Sequence, residues 1–383
     1  MPWQERNRME SRRLFIERIK TEETPFGEAC QEFGVSRKTG YKWWKRYRQE
    51  GREGLADQSR RPHHIRYEIS SEMEEKLVKL RQSHPTWGAR KLCWILEEQG
   101  CPAPPERTAH RVLVRHGLVK TDQPSRKANT QRFERSLPNE LWQMDHKAAI
   151  HLSRWGRIVP FVVMDDHSRY LLGLWAQSDK GTEATWSSLW KVFLEFGLPQ
   201  QILSDNDTVF HGEVGPSRIE ARLMRLGIRI YHGAPYHPQS QGKVERVNRT
   251  LEVDVLRERK FYQPAEVQGA FDNFRECYNY ERPHEALGLD LPGRHYRPST
   301  RSCPSELPPM EYSSGKTLRK VGSTGYICWK GWALYVGGGL EREWVEVREQ
   351  NQVVDIYYGP FPIHRFGEKD IRITRNQIWG GKV

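Results

Sequence analysis

Apolar positions along the chain keep two rhythms, and the change between them divides it. Through residue 119 the apolar residues recur at three- and four-residue steps, the spacing of helices with one buried face. Residues 9–20 make the first such segment, with Leu14, Phe15, Ile16 and Ile19 as its apolar members. Residues 26–33 make a second, stopped by Gly34, and Ser36 is placed to cap a third over 37–48. A polar stretch with Arg60, Arg61 and Pro62 follows. Three more helices are predicted over 72–83 (Met73, Leu77, Leu80), 89–99 and 106–116, the last led in by Pro104 and Pro105 and closed by Gly117.

Residues 120–138 are polar, basic and poor in apolar side chains, which reads as an extended tether. From Leu141 strands dominate: 142–150, 157–164 and 170–176, the last two joined by a turn carrying Asp165 and Asp166. Thr182 is placed to cap a helix whose apolar positions are Trp186, Leu189, Trp190, Phe193 and Leu194, ended by Gly197 and Pro199. A strand at 200–204, a helix at 217–226 and a strand at 228–231 come next. Gly242 then starts a helix with Val244, Val247, Leu251 and Val255 on one stripe, and 264–280 gives another. Three consecutive strands followed by helix–strand units is the ribonuclease-H-like order, an α/β layer fold. Beyond residue 299 only short strand-like runs remain (326–329, 332–336, 344–347, 353–358), which predict a small β-barrel. The expected fold class is multidomain: all-α helix-turn-helix units, an α/β ribonuclease-H-like core and a C-terminal β-barrel. The expected bounds are 1–56, 57–119, the linker 120–138, the core 139–298 and 299–383.

Composition adds a partner. A net charge of +12 points to a polyanion, but placement must show which face meets it. Short helix, Gly-containing turn and basic helix is the helix-turn-helix pattern, which puts Arg37, Lys38, Thr39, Tyr41 and Lys42 toward a major groove and Lys45 and Arg46 on phosphates. Arg107, Thr108, His110 and Arg111 form a possible second set, against the alternative of a helical spacer. Lys316, Arg319, Lys320 and Lys330 offer a third basic face, with a dimerisation or structural module as the alternative. A mean hydropathy of −0.81 and the lack of a long apolar run argue against a membrane partner. The first residues, Met-Pro-Trp-Gln-Glu-Arg, hold no signal-like apolar segment, so a cytoplasmic location is expected. Six scattered cysteines without a Cys-x-x-Cys pair argue against a structural zinc site or a disulfide framework.

Three carboxylates carry the candidate chemistry. Asp145 lies inside Leu-Trp-Gln-Met-Asp-His, Asp205 ends the run Gln-Ile-Leu-Ser, and Glu245 sits in the first turn of the helix begun at Gly242. Phosphodiester chemistry needs an activated nucleophile in line with a leaving 3′ oxygen, and two Mg²⁺ ions roughly 3.5–4 Å apart stabilise both oxygens. Mg²⁺ keeps waters and substrate oxygens in its shell, so three acids suffice. An unpaired Asp in an apolar strand is costly to bury, which favours a ligand role. Bland alternatives stand beside each residue. Asp145 could pair with Lys147 or an arginine, Asp205 could be a turn residue, and Glu245 could pair with Arg249 one helical turn on.

These segments resemble a family. Trp-Gln-Met-Asp145, Leu-Ser-Asp205-Asn206, His-Pro-Gln-Ser-Gln-Gly-Lys-Val-Glu245-Arg and Tyr-Asn-Tyr-Glu-Arg-Pro-His-Glu-Ala-Leu287 look like the DDE transposases of bacterial insertion sequences, whose core is similar to retroviral integrase. The resemblance implies Asp145, Asp205 and Glu245 as ligands of two Mg²⁺ ions, with Mn²⁺ as a substitute. It also implies Gln241, Lys243 and Arg249 as contacts to a DNA end. The implied protein is a homo-oligomeric transposase that binds the terminal inverted repeats on double-stranded DNA, nicks there and joins the 3′ ends to target DNA. Departures are visible: the 39 residues between Asp205 and Glu245 exceed the family's usual spacing, the surplus falling on 211–217. Asp207 also replaces a usual Gly, and His146 an often aromatic residue. The competing readings are a noncatalytic DNA-binding regulator and a hydrolytic nuclease of the same fold.

Overall fold

The computed structural model describes residues 8–21, 23–58, 69–119, 134–233, 242–257 and 259–367. The chain divides into two compact units, Met1–Glu68 and Ile69–Val383.

The first unit holds α1 (Arg8–Lys20), α2 (Phe26–Glu32) and α3 (Arg37–Glu50) around Phe15, Ile16, Ala29, Cys30, Val35, Trp43 and Leu55. Gly34 takes the left-handed φ of 62° that the turn between α2 and α3 requires. Ser36 caps α3 as expected, its hydroxyl accepting from the Thr39 amide at 3.2 Å. Gly40 is where α3 touches α1 and α2 most closely. A Cβ there would lie 2.7 Å from Cys30 Sγ and 2.9 Å from Phe15 Cζ. Gly40→Val should therefore cost this unit about 1–3 kcal/mol through overpacking, read by calorimetry as an earlier transition of the first unit. An unmoved transition would show that the helices part without strain.

In the second unit α4 (Ser71–Ser83), α5 (Ala89–Glu98) and α6 (Glu106–Arg115) bury Leu77, Trp87, Leu92, Leu96, Ala109, Val112 and Leu113. Beyond them lies a mixed sheet of β1 (Trp142–His146), β2 (Ile150–Leu152), β3 (Gly156–Asp165), β4 (Leu171–Gln177), β5 (Gln201–Ser204) and β6 (Arg229–His232). β3 runs antiparallel to β1, β2 and β4, while β5 is parallel to both β1 and β6. Four helices cover the sheet: α7 (Thr182–Phe196), α8 (Arg218–Arg225), α9 (Gly242–Leu251) and α10 (Pro264–Tyr280). Strand alternation sorts the core onto two faces. Trp142, Met144, Phe161 and Val163 pack with Leu189, Val192, Phe193, Ile219 and Leu223 on one side. Val162, Met164, Leu171 and Leu174 pack with Val244, Val247, Leu251, Val267, Phe271 and Phe274 on the other. The result is an α/β core of the expected order.

Two expectations fail. The strand expected over 142–150 breaks after His146, because the pairing with β3 slips by one residue between His146↔Phe161 and Ile150↔Ile158. The expected C-terminal barrel is not closed. β7 (Leu318–Lys320), β10 (Trp344–Gln350), β11 (Val353–Tyr358) and β12 (Phe361–Phe366) form an open sheet, with β8 (Tyr326–Trp329) and β9 (Trp332–Tyr335) a separate hairpin. A barrel needs its edge strands paired, and β12 and β7 end the four-stranded order unpaired with each other among the described residues. The expected tether lies mostly outside the described residues. Its end is not loose: Glu134 pairs with Arg169 at 3.0 Å and the Arg135 amide donates to Asp166 at 2.9 Å. All six cysteines are free, and no helix among the described residues is long and apolar enough to cross a membrane.

Candidate active site

Asp145 and Asp205 meet because two strands run side by side in one register. β1 pairs with β5 as Trp142↔Ile202 and Gln143↔Leu203. Asp205 follows directly on the last residue of β5, and that register brings it near enough to Asp145 for its charge to act on the Asp145 carboxyl. Trp142 and Met144 belong to the α7–α8 side, so alternation turns Asp145 toward α9. There Asn248 donates to Asp145 Oδ2 at 2.7 Å.

The pair is electrostatically uncomfortable as it stands. Burial first, and then the negative charge of Asp205, push the Asp145 carboxyl up to about 6, against the opposing hydrogen bond from Asn248. Asp205 is raised too, again by burial first, although the Asp207 amide donates to its Oδ1 at 3.1 Å. Neighbouring acids held apart from water and short of cationic partners are what a divalent ion relieves. The residues present fit such an ion in a further respect: Asn248 Oδ1 is buried without a hydrogen-bond partner, an acceptor beside Asp145 suited to a water of an ion's shell.

Glu245 is placed less completely. It lies one helical step before Asn248 on α9, so the two share a face, and its side chain is exposed. Among the described residues the group of acids and histidines whose ligand atoms all lie within 4.8 Å is His211, Glu220 and His232; the trio Asp145, Asp205 and Glu245 is not one. The structure thus brings Asp145 and Asp205 together and leaves Glu245 on the adjoining helix. Two bland alternatives lose their partners. Lys147 pairs with Glu252 at 2.7 Å, not with Asp145, and Glu245 makes no ion pair with Arg249 among the described residues. The third is half right, since one oxygen of Asp205 does serve its own turn.

Other acids near the site are already engaged. Asp207 pairs with Lys180 at 2.9 Å, which outweighs its burial and holds its carboxyl below the usual range. Asp165 and Asp166 occupy the expected turn but are fully buried. Asp165 accepts from Ser168 and the Asn139 amide. Asp166 accepts from Gln143 at 2.7 Å, the Arg135 amide and the Lys243 ammonium at 2.5 Å. His146 stacks on Phe210 and lies tilted against Phe161, and burial drives its ring down to about 4, so it is neutral.

Lys243 has a partner inside the core rather than a free ammonium for DNA. Lys243→Ala would strip a cation from the buried Asp166, a loss of about 2–4 kcal/mol by denaturant unfolding. A change below about 1 kcal/mol would return the residue to the DNA-facing role. Arg249 is exposed, and Gln241 lies outside the described residues. On α3, Arg37, Lys38, Tyr41, Lys42 and Lys45 are exposed; Thr39 is drawn into the cap, and Arg46 donates to Gln58 at 2.8 Å. On α6, Arg107, His110 and Arg111 are exposed and Thr108 is half-buried. Asn248 was missed in the sequence, although its place three residues after Glu245 was the available signal.

With this geometry in view, comparison with known proteins gives a consistent class. A helix-turn-helix domain model matches residues 12–63 and a homeodomain-like model residues 39–113. Integrase core domain models match residues 135–238 and 226–292. The Gag-Pro-Pol polyprotein of Simian retrovirus SRV-1 is 32% identical over 125 residues, 32% of this chain and 7% of the polyprotein. That of Sheep pulmonary adenomatosis virus is 30% identical over 136 residues, 33% of this chain and 7% of the polyprotein. The chain therefore spans a small part of the length of these curated relatives. A chain of the simian T-cell lymphotropic virus intasome, solved with PP2A regulatory subunit B56 gamma, matches at 16% identity and a TM-score of 0.37 over 76% of this chain and 99% of that one. The sequence matches define the class: helix-turn-helix segments ahead of an integrase core. The chain thus carries an integrase core domain over residues 135–292, similar in sequence to part of retroviral Gag-Pro-Pol polyproteins.

Proposed function

We propose that this chain is a metal-dependent polynucleotidyl transferase of a bacterial insertion sequence, which binds the ends of its own element and joins them to target DNA. The observation that carries the reading is the Asp145–Asp205 pair: one acid in β1 and one just past the end of the parallel neighbour β5, both raised in pKa, with Asp145 held by Asn248 of the helix that bears Glu245. A protein that only held DNA has no use for two such acids.

Divalent ions, when bound, supply the positive charge that stabilises the attacking and leaving oxygens. Asp145, Asp205 and Glu245 are the residues that would hold two Mg²⁺ ions, or Mn²⁺ in their place, and Asn248 fixes the orientation of Asp145. The exposed basic residues of α3 fit a major groove, with α6 as a second surface. In the first step water attacks the phosphorus at the element end and the bond to the 3′ oxygen breaks, leaving a free 3′ hydroxyl. That hydroxyl then attacks a target phosphodiester and expels the target's 3′ oxygen. Joining two ends at one place calls for a multimer on paired double-stranded ends.

The test uses the full chain, a labelled duplex carrying the element's terminus and a plasmid target, with Mg²⁺ or Mn²⁺. The reading expects a nick exposing a 3′ hydroxyl and then joined product. Tight binding of the terminus without either product, in both metals, would favour the noncatalytic regulator. Nicking without joining would favour the nuclease.

A further inference from the structure

His211, Glu220 and His232 come from the loop after β5, the first turn of α8 and the end of β6, and each offers a ligand atom within 4.8 Å of the others. Their hydrogen bonds define what the gap between them can hold. Glu220 is oriented through Oε2 by the Ser217 amide at 2.6 Å and the Gly212 amide at 3.1 Å, the first closing a capping box on α8. Its Oε1 faces His232 Nε2 at 2.9 Å. On the other side of that ring, Nδ1 lies 3.1 Å from Ser204 Oγ and 3.3 Å from the Asp205 carbonyl. The Ser204 hydroxyl gives its one proton to the same carbonyl at 3.1 Å. Both ring nitrogens of His232 thus lie beside oxygen atoms, Nδ1 on the β5 side and Nε2 on Glu220. The His211 ring packs against His232 with centroids 4.4 Å apart, and its nitrogens have no hydrogen-bond partner among the described residues.

We propose that His211, Glu220 and His232 bind one first-row transition-metal ion of the zinc type. Two imidazoles and a carboxylate, with a fourth position for water, suit such an ion better than Mg²⁺, which prefers oxygen alone. The surroundings are those of ligands: the second nitrogen of His232 is turned to a backbone carbonyl and the carboxylate is fixed by amides. The ion clips the extended loop between Asp205 and α8 to both α8 and β6. That loop is also where the C-terminal region docks: Gly215 and Gly337 come together without room for a Cβ, and Ala221 and Met224 of α8 join the C-terminal core. The site holds its ligands from histidine and glutamate, so a search for paired cysteines passes over it. It shares no ligand with the Asp145–Asp205 pair, although the His232 ring rests on the Asp205 carbonyl, and it does not depend on the proposed reaction.

The test loads metal-stripped full-length chain with Zn²⁺ in excess Mg²⁺, removes free ion by gel filtration and measures zinc per chain. The expected result is one zinc per chain in the wild type and in Asp145→Asn, with retention lost in His211→Ala and in Glu220→Gln. The His211 side chain makes no hydrogen bond among the described residues, and its amide bond to the Asp207 carbonyl survives truncation, so its variant keeps the fold where Glu220→Gln weakens a cap. Zinc should raise the melting temperature of the wild type and leave that of His211→Ala unmoved. Co²⁺ in its place should show visible d–d bands without a thiolate charge-transfer band. Zinc absent from the wild type, indifferent to His211→Ala, lost in Asp145→Asn or held by thiolate would overturn the proposal, leaving His232 hydrogen-bonded to Glu220 alone.

Discussion

Asp145→Asn should abolish nicking and joining, by about a thousandfold or more, and at the same time make the metal-free protein more stable. The first effect follows from removing a negative ligand where several kcal/mol of charge stabilisation act on the transition state. The second follows from the sign of the pKa shift. The folded carboxyl is raised to about 6, chiefly by burial and then by Asp205, whereas the unfolded chain keeps the ordinary value near 4. Folding therefore favours the protonated form. The stability linked to this group is complete below pH about 4 and is lost as pH rises through about 6. Asn removes that loss while still accepting from Asn248. At pH 7.5 the variant should gain on the order of 1–3 kcal/mol over the wild type, and at pH 4 the difference should vanish. Thermal unfolding across pH reads the stability, and a gel of end-joined product reads the activity. Binding of the element's end through the helix-turn-helix residues should persist. A variant that still joins ends, or that is less stable at pH 7.5, contradicts the role given to Asp145.

The same shift sets the pH dependence of the reaction. A proton and a divalent ion compete for Asp145, so at limiting Mg²⁺ the rate should fall about tenfold per pH unit below pH about 6 and level off above it. Raising Mg²⁺ should move the midpoint to lower pH, because the ion displaces the proton. His146, neutral and held down to about 4 by burial, does not titrate in this window. A rate flat from pH 7 to pH 5 at limiting Mg²⁺ would mean that the acids are already charged before the ion arrives.

Much of this was legible from residue order because local signals agreed with global packing. Ser36 caps α3 as its position before a helical stripe predicts, and Leu77 and Val244 are buried where the three- and four-residue spacing puts them. The two acids were legible as well, since Asp145 lies inside an apolar strand run and Asp205 ends one. What the residues alone could not supply was register between distant strands, and that is what brings Asp205 near Asp145. The partner of Lys243 was hidden for the same reason: Asp166 lies 77 residues away in sequence. Strand spacing at the C-terminus found β8 to β11 but missed the edge strands β7 and β12, and closure of a barrel depends on whether such edges pair, which alternation does not encode. The histidine–glutamate cluster was invisible because its members sit on a loop, a helix and a strand, with no spacing in common.

The most direct measurement is a structure of the full chain on a DNA end with Mn²⁺ located by its anomalous scattering. The account predicts Mn²⁺ between Asp145 and Asp205, beside the phosphate at the element's terminus, with the Glu245 carboxylate turned in from α9 to complete the site. Metal bound elsewhere, or Glu245 still facing solvent while DNA and Mn²⁺ occupy the site, would contradict it.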